Sequence, residues 1–121
     1  MDGTTLTTIL NLSHIEELKA MDDDGSCDTL RELISLFKTS SQKNFSDMKS
    51  FFANKDLDAM RKSAHALRSS SLNLGGVLFP ESLLKIEYSA QTPESEIESH
   101  IKASEIEYAN FVSALSRICS N

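Results

Sequence analysis

Only two prolines and four glycines punctuate the 121 residues of this chain, which leaves long stretches with nothing to break a helix. Within them apolar residues recur at three- and four-residue spacing, the period of one helix face. Ser13 is placed to cap a short first helix over His14–Met21, which ends at the polar turn Asp22-Asp23-Asp24-Gly25. A second helix is predicted from Ser26 or Asp28 to about Phe52, with Leu30, Ile34, Phe37, Phe45, Met48 and Phe52 on one stripe and Ser41 filling its gap. Asp56 is a plausible N-cap for a third helix that buries Leu57, Met60, Ala64, Leu67, Ser71 and Leu74 and stops at Gly75-Gly76. Pro80 is tolerated only in a first turn, so the regular part of a fourth helix is expected to start there, with Phe79, Leu83, Ile86 and Ala90 inward. Thr92 and Pro93 read as N-cap and first residue of a last helix carrying Ile97, Ile101, Ser104, Tyr108, Phe111, Leu115 and Ile118. No segment shows sustained strand alternation and the connections are short. The expectation is an all-α fold in a single domain over residues 1–121: an antiparallel up-and-down four-helix bundle preceded by a short additional N-terminal helix.

Composition narrows the function. Apolar residues make up 40% of the chain, enough for one core without metal or disulfide staples. Cys27 and Cys119 have no CxxC spacing and no secretory context, and are expected to be two free thiols. No apolar run is long enough to span a membrane, and Met1-Asp2-Gly3-Thr4-Thr5 lacks the regions of a signal peptide, so a cytoplasmic protein is expected. The net charge of −6 argues against nucleic acid as a partner, because phosphate binding calls for an excess of Lys and Arg. That charge is uneven: residues 1–54 and 73–121 each sum to −4, whereas residues 55–72 carry four basic and two acidic side chains.

The basic segment contains His65, which falls one residue off the apolar stripe of the third helix. At about 100° per residue, Asp58, Arg61, His65, Arg68, Ser69 and Leu72 form one exposed stripe. Two guanidiniums one turn to either side of an imidazole could hydrogen-bond and partly neutralise a phosphoryl group carried on the ring. Ser69 and Ser70 are small enough for another protein to approach, and Leu72 offers apolar contact at the rim. A solvated helix face has the same general appearance, and the stripe alone does not separate the two.

The run Ala64-His65-Ala66-Leu67-Arg68-Ser69-Ser70-Ser71-Leu72-Asn73-Leu74-Gly75-Gly76 resembles the signature of histidine-containing phosphotransfer (HPt) domains, roughly A-H-x-L-K-G-S-S-x-x-L-G-A. Asp56 and Leu57–Arg61 are similar to the lead-in of that family, Leu83-Leu84-Lys85-Ile86-Glu87 to its closing segment, and Leu30–Phe37 to its earlier helix. The similarity covers about residues 10–90. It implies a phosphorelay intermediate: His65 accepts a phosphoryl group from a receiver-domain aspartate and passes it to another receiver. The module would be a reactant more than an enzyme. It implies no cofactor on this chain, since Mg²⁺ and the acidic pocket belong to the receiver, and as partners receiver domains of response regulators or of a hybrid sensor kinase, with the chain a monomer. By the same resemblance Arg68 stands where lysine is usual and would stabilise the phosphoryl group. Glu87 would bond the second ring nitrogen and fix the tautomer. Arg61 and Leu72, from their place on the exposed stripe, are expected at the docking surface. Ser69 replaces the usual glycine, and would either donate to the phosphoryl group or slow docking.

Other patterns fail on their own chemistry. Aligning Gly25 as a calcium-loop glycine puts Ala20 and Arg31 at ligand positions. Ser82-Leu83-Leu84-Lys85 lacks the partner motifs of S-x-x-K acyl transferases. His14 and His100 have no partners at metal spacing and read as surface residues. Two rivals to the carrier remain: an adaptor that docks on receivers without phosphotransfer, and a helical structural module with an incidental histidine.

Overall fold

The computed structural model describes residues 8–22 and 24–119. Met1–Thr5, expected not to form a signal peptide, and Asp23 of the polar turn lie outside the described residues. Among those residues the fold is all-α, with α1 (Leu12–Lys19), α2 (Asp28–Ala53), α3 (Leu57–Asn73), α4 (Leu78–Glu87) and α5 (Glu94–Ile118) and no strand. None of these helices is long and apolar enough to cross a membrane.

Helix starts follow local chemistry, though not always the residue the sequence favours. The Asp56 carboxylate accepts the Ala59 N–H at 3.3 Å and caps α3 as expected. At α1 the cap is Asn11, whose side chain accepts from His14 N–H, so the helix starts earlier than Ser13 implied. Cys27 precedes α2 with φ +66° and makes no side-chain cap. Asp22 substitutes for it, accepting the Thr29 N–H at 2.8 Å and the Thr29 hydroxyl at 2.6 Å. Helix α4 begins at Leu78, two residues before Pro80, which is harmless there because the first helical N–H groups have no partner in any case. Pro93 is the N-cap of α5 rather than its first residue.

The predicted stripes are the core. Leu30, Ile34, Phe37, Ser41, Phe45 and Met48 of α2 are buried, as are Met60, Ala64, Leu67 and Ser71 of α3 and Ile97, Ile101, Ser104, Phe111 and Leu115 of α5. Helix α3 packs between α2 and α4, α4 packs on α5, and α5 touches α2. Phe37, Phe45, Phe79, Tyr108 and Phe111 join α2, α4 and α5 through ring contacts, the nearest being Phe79–Tyr108 at 5.2 Å and Phe37–Phe111 and Phe45–Tyr108 at 5.4 Å. Small serines let the helices close in without leaving polar atoms unpaired. The Ser41 hydroxyl pairs with Tyr108 Oη at 2.7 Å, and Ser104 Oγ donates to the Ile101 carbonyl of its own helix at 2.7 Å. Phe52, Leu57, Tyr108 and Ile118, expected on the same stripes, are half-buried against that core, and Ala90 departs from the pattern altogether, being exposed in a turn. Helix α4 has ended at Glu87, and the buried Ser89 donates to the Ile86 carbonyl at 2.6 Å and takes the inward place instead.

The turn after α3 fixes the end of the helix that carries His65. Gly75 has φ +81°, its N–H donates to Leu72 O, and Gly76 N–H donates to Ser71 O at 2.8 Å. This 6→1 and 5→2 pair closes the helix as a Schellman motif. A Cβ on Gly76 would stand 2.9 Å from Ser71 O and 3.0 Å from Pro80, so α4 can leave this closely only past glycine. The segment before α1 straps the same turn: Asn11 N–H donates to Gly75 O at 2.7 Å and Val77 N–H to Ile9 O at 3.1 Å. His14, expected at the surface, is half-buried, and its Nε2–H donates to the Asn73 carbonyl at 2.8 Å, satisfying one of the last carbonyls of α3.

The cysteines correct the expectation of two free thiols. Cys27, before α2, and Cys119, after α5, form a disulfide with Cα atoms 6.1 Å apart across a sequence separation of 92. Beside it Arg31 donates to the Cys119 carbonyl at 2.8 Å.

Candidate functional site

Three side chains from two helices converge beside the middle of α3. His65 points outward and its side chain is 62% exposed, whereas Glu87, at the last turn of α4, is only 12% exposed. The two meet through His65 Nδ1 and Glu87 Oε1. Arg68, one turn further along α3, donates from Nε to Glu87 Oε2 at 2.6 Å and from Nη2 to Oε1 at 3.4 Å. Glu87 is therefore a bridge, gripped by a guanidinium fork on one side and an imidazole on the other.

The electrostatics assign the proton. The Arg68 hydrogen bond holds the Glu87 carboxyl below the usual glutamate range; burial opposes this, and the His65 contact adds to it. Arg68 is in turn held more firmly in its charged form, chiefly by its bond to Glu87. An ionised carboxylate can only accept, so His65 Nδ1 must carry the hydrogen. In the neutral ring the lone pair is then on Nε2, which has no hydrogen-bond partner among the described residues. An imidazole held this way offers solvent a nitrogen of fixed orientation, backed by a negative charge, which is the arrangement a nucleophile or a base needs.

The residues expected from sequence fall into two neighbouring grooves. Asp58, Arg61, Lys62, Glu87 and Tyr88 line one with His65. Leu72, 46% exposed, lies in the next, with Val77, Pro80 and Leu84, and Arg68 lines that groove too. Ser69 is exposed and its hydroxyl bonds to no described residue, unlike Ser70 and Ser71, whose hydroxyls donate back to Leu67 and Arg68 carbonyls. Neither guanidinium stands unopposed next to the ring: Arg68 is engaged by Glu87, and Arg61 is paired with Asp58. Lys62, exposed and without an ion pair among the described residues, is the cation left over. Sequence reasoning passed over it, although its position three residues before His65 puts it on the neighbouring ridge. Tyr88 was also missed. It is 71% exposed directly after Glu87, a large apolar ring at the rim of the groove.

No protein-family model matches the chain, and no curated protein matches it with significance.

Proposed function

We propose that this chain is a phosphorelay intermediate whose His65 accepts a phosphoryl group from the aspartate of one receiver domain and delivers it to another. The observation that carries the reading is the exposed His65 ring with Nδ1 tied to the ionised Glu87 and Nε2 open to solvent. Beside it stands the resemblance of residues 64–76 to the HPt signature. In this reading α2 to α5 form an antiparallel up-and-down four-helix bundle, with α1 as the additional N-terminal helix, and the chain works as a cytoplasmic monomer.

The chemistry follows from the tautomer. The Nε2 lone pair attacks phosphorus of the receiver's aspartyl phosphate; the N–P bond forms as the P–O bond to the aspartate breaks, and the carboxylate leaves with the electron pair. Positive charge develops on the imidazole as Nε2 bonds to phosphorus. Glu87, hydrogen-bonded at Nδ1, lies where it opposes that charge without taking the proton. The second transfer is the reverse attack, by a receiver aspartate on the phosphohistidine. Mg²⁺ and the acidic pocket come from the receiver, so this chain is a reactant and not an enzyme in its own right. Lys62 presents positive charge to an acidic partner face, and Leu72 and Tyr88 present apolar contact.

The test is transfer from a panel of receiver domains carrying labelled aspartyl phosphate, in Mg²⁺. Label is expected on His65 as acid-labile, base-stable phosphohistidine, absent from His65→Gln. Binding to several receivers with no label transferred would favour the docking adaptor. Absence of both binding and label would leave only a structural module.

A further inference from the structure

We infer that Arg68 is a positioning residue that acts on His65 through Glu87, rather than a direct ligand of the transferred phosphoryl group. The inference rests on the phosphocarrier reading of His65, and it changes the role that the sequence motif implies for this position.

Geometry separates the two roles. The Arg68 Nε and Nη2 hydrogens both go to the Glu87 carboxylate, at 2.6 and 3.4 Å. The fork therefore faces α4 and not the open side of the imidazole. Its side chain is 24% exposed, against 62% for the ring it would have to serve. The phosphoryl group would grow from Nε2, the nitrogen on the opposite side of the ring from the Glu87 contact. Nε–H and one Nη2–H are committed to Glu87, so only the outer Nη hydrogens are left for any other acceptor; turning the whole fork to the phosphoryl group would leave the carboxylate facing a dianionic group with its cation withdrawn. Holding Glu87 costs nothing of the kind. A two-nitrogen fork fixes both the rotation and the ionisation of a carboxylate, which a single ammonium does less well. The consequence is a chain of command from Arg68 to Glu87 to Nδ1–H, which leaves Nε2 as the reacting atom.

The test has two readouts on the full chain. In ¹⁵N NMR of the His65 ring, at a pH high enough to keep it neutral, the wild type is expected to carry its hydrogen on Nδ1. Arg68→Ala should free the carboxylate to turn away from Nδ1 and so raise the share of the ring with its hydrogen on Nε2, with the circular dichroism spectrum and the melting temperature confirming an intact fold. An unchanged tautomer in a folded Arg68→Ala protein would overturn the inference. The second readout is the rate of His65 phosphorylation by phosphoramidate, in which the N–P bond to Nε2 forms as that of the donor breaks and ammonia leaves. Arg68→Ala and Glu87→Gln are each expected to slow this about tenfold, the usual worth of a charge-assisted hydrogen bond. The double variant should be within about twofold of Glu87→Gln alone, because groups acting in series are not additive. If Arg68→Ala costs the same tenfold in the Glu87→Gln background, Arg68 acts on the phosphoryl group directly. The NMR result does not depend on any phosphotransfer, so a chain that takes nothing from receivers would sink the proposed function while leaving the Arg68 result standing.

Discussion

Glu87 is the side chain through which most of the candidate site passes, and its titration reports on the whole arrangement. Its folded-state carboxyl lies below the ordinary range, with Arg68 the main cause. The stabilisation from this group is complete above the unfolded glutamate value and is lost as pH falls through the lower folded value. Carbon-detected NMR is expected to find Glu87 titrating below the ordinary glutamate range, and Arg68→Ala should bring it up towards that range. A wild-type Glu87 that titrates within the ordinary range would contradict the bridge. At Ser69 the sequence left two roles open, phosphoryl donor or obstacle to docking. The hydroxyl is exposed one turn from His65 and bonds to no described residue, so in the proposed carrier it would add bulk where a receiver docks. Ser69→Gly is expected to speed transfer from a receiver while costing about 0.5 kcal/mol of helix stability. Slower transfer in that variant would make the hydroxyl a participant.

The helices were legible because their information is local. The stripes of α2, α3 and α5 repeat within each segment, and Asp56 and Gly75 mark the ends of α3 by the backbone groups they satisfy. Signals that act across a turn were less so. Asp22 caps α2 from seven residues away through Thr29, and Asn11 displaces Ser13 at α1 because the chain there is already committed to the α3–α4 turn. Ser89 replaced Ala90 because its hydroxyl can satisfy a carbonyl at the end of α4, which a methyl cannot. In the site, His65 and its exposure could be read from one helix, whereas the Arg68–Glu87 bond needs two helices in place and could not. Gly75 gives the sharpest test of the α3 end. Its φ of +81° strains any other L-residue, and a Cβ there would stand 3.1 Å from Ile15 Cδ1. Gly75→Ala is expected to destabilise the fold by about 1–2 kcal/mol, seen as a lower urea midpoint. An unchanged midpoint would mean that the turn relaxes freely.

At the scale of the molecule, the disulfide was the largest departure from expectation. Pairing across a separation of 92 residues is fixed by how α2 and α5 lie together, which no local pattern encodes. Air-purified protein is expected to show no reactive thiol before reduction and two after it. Cys27→Ser with Cys119→Ser should lose about 2–4 kcal/mol, or about 8–15 °C in melting temperature. Two thiols reactive without reductant would dismiss the bond. Disulfides are opened in a reducing cytoplasm, so a cytoplasmic carrier would work in the dithiol form, and the double variant represents that state. The strap across the α3–α4 turn is a second tie, made without a covalent bond. Its bonds run between backbone atoms of Ile9, Asn11, Gly75 and Val77, and so are indifferent to side-chain identity. What chooses the pairing is the burial of Ile9 and Leu10 on either side of it. The strap is therefore a register mark: substitution within residues 9–11 keeps it as long as the apolar pair survives. A single inserted or deleted residue there would slide Leu10 out of its site and carry α1 out of step with the helix that presents His65.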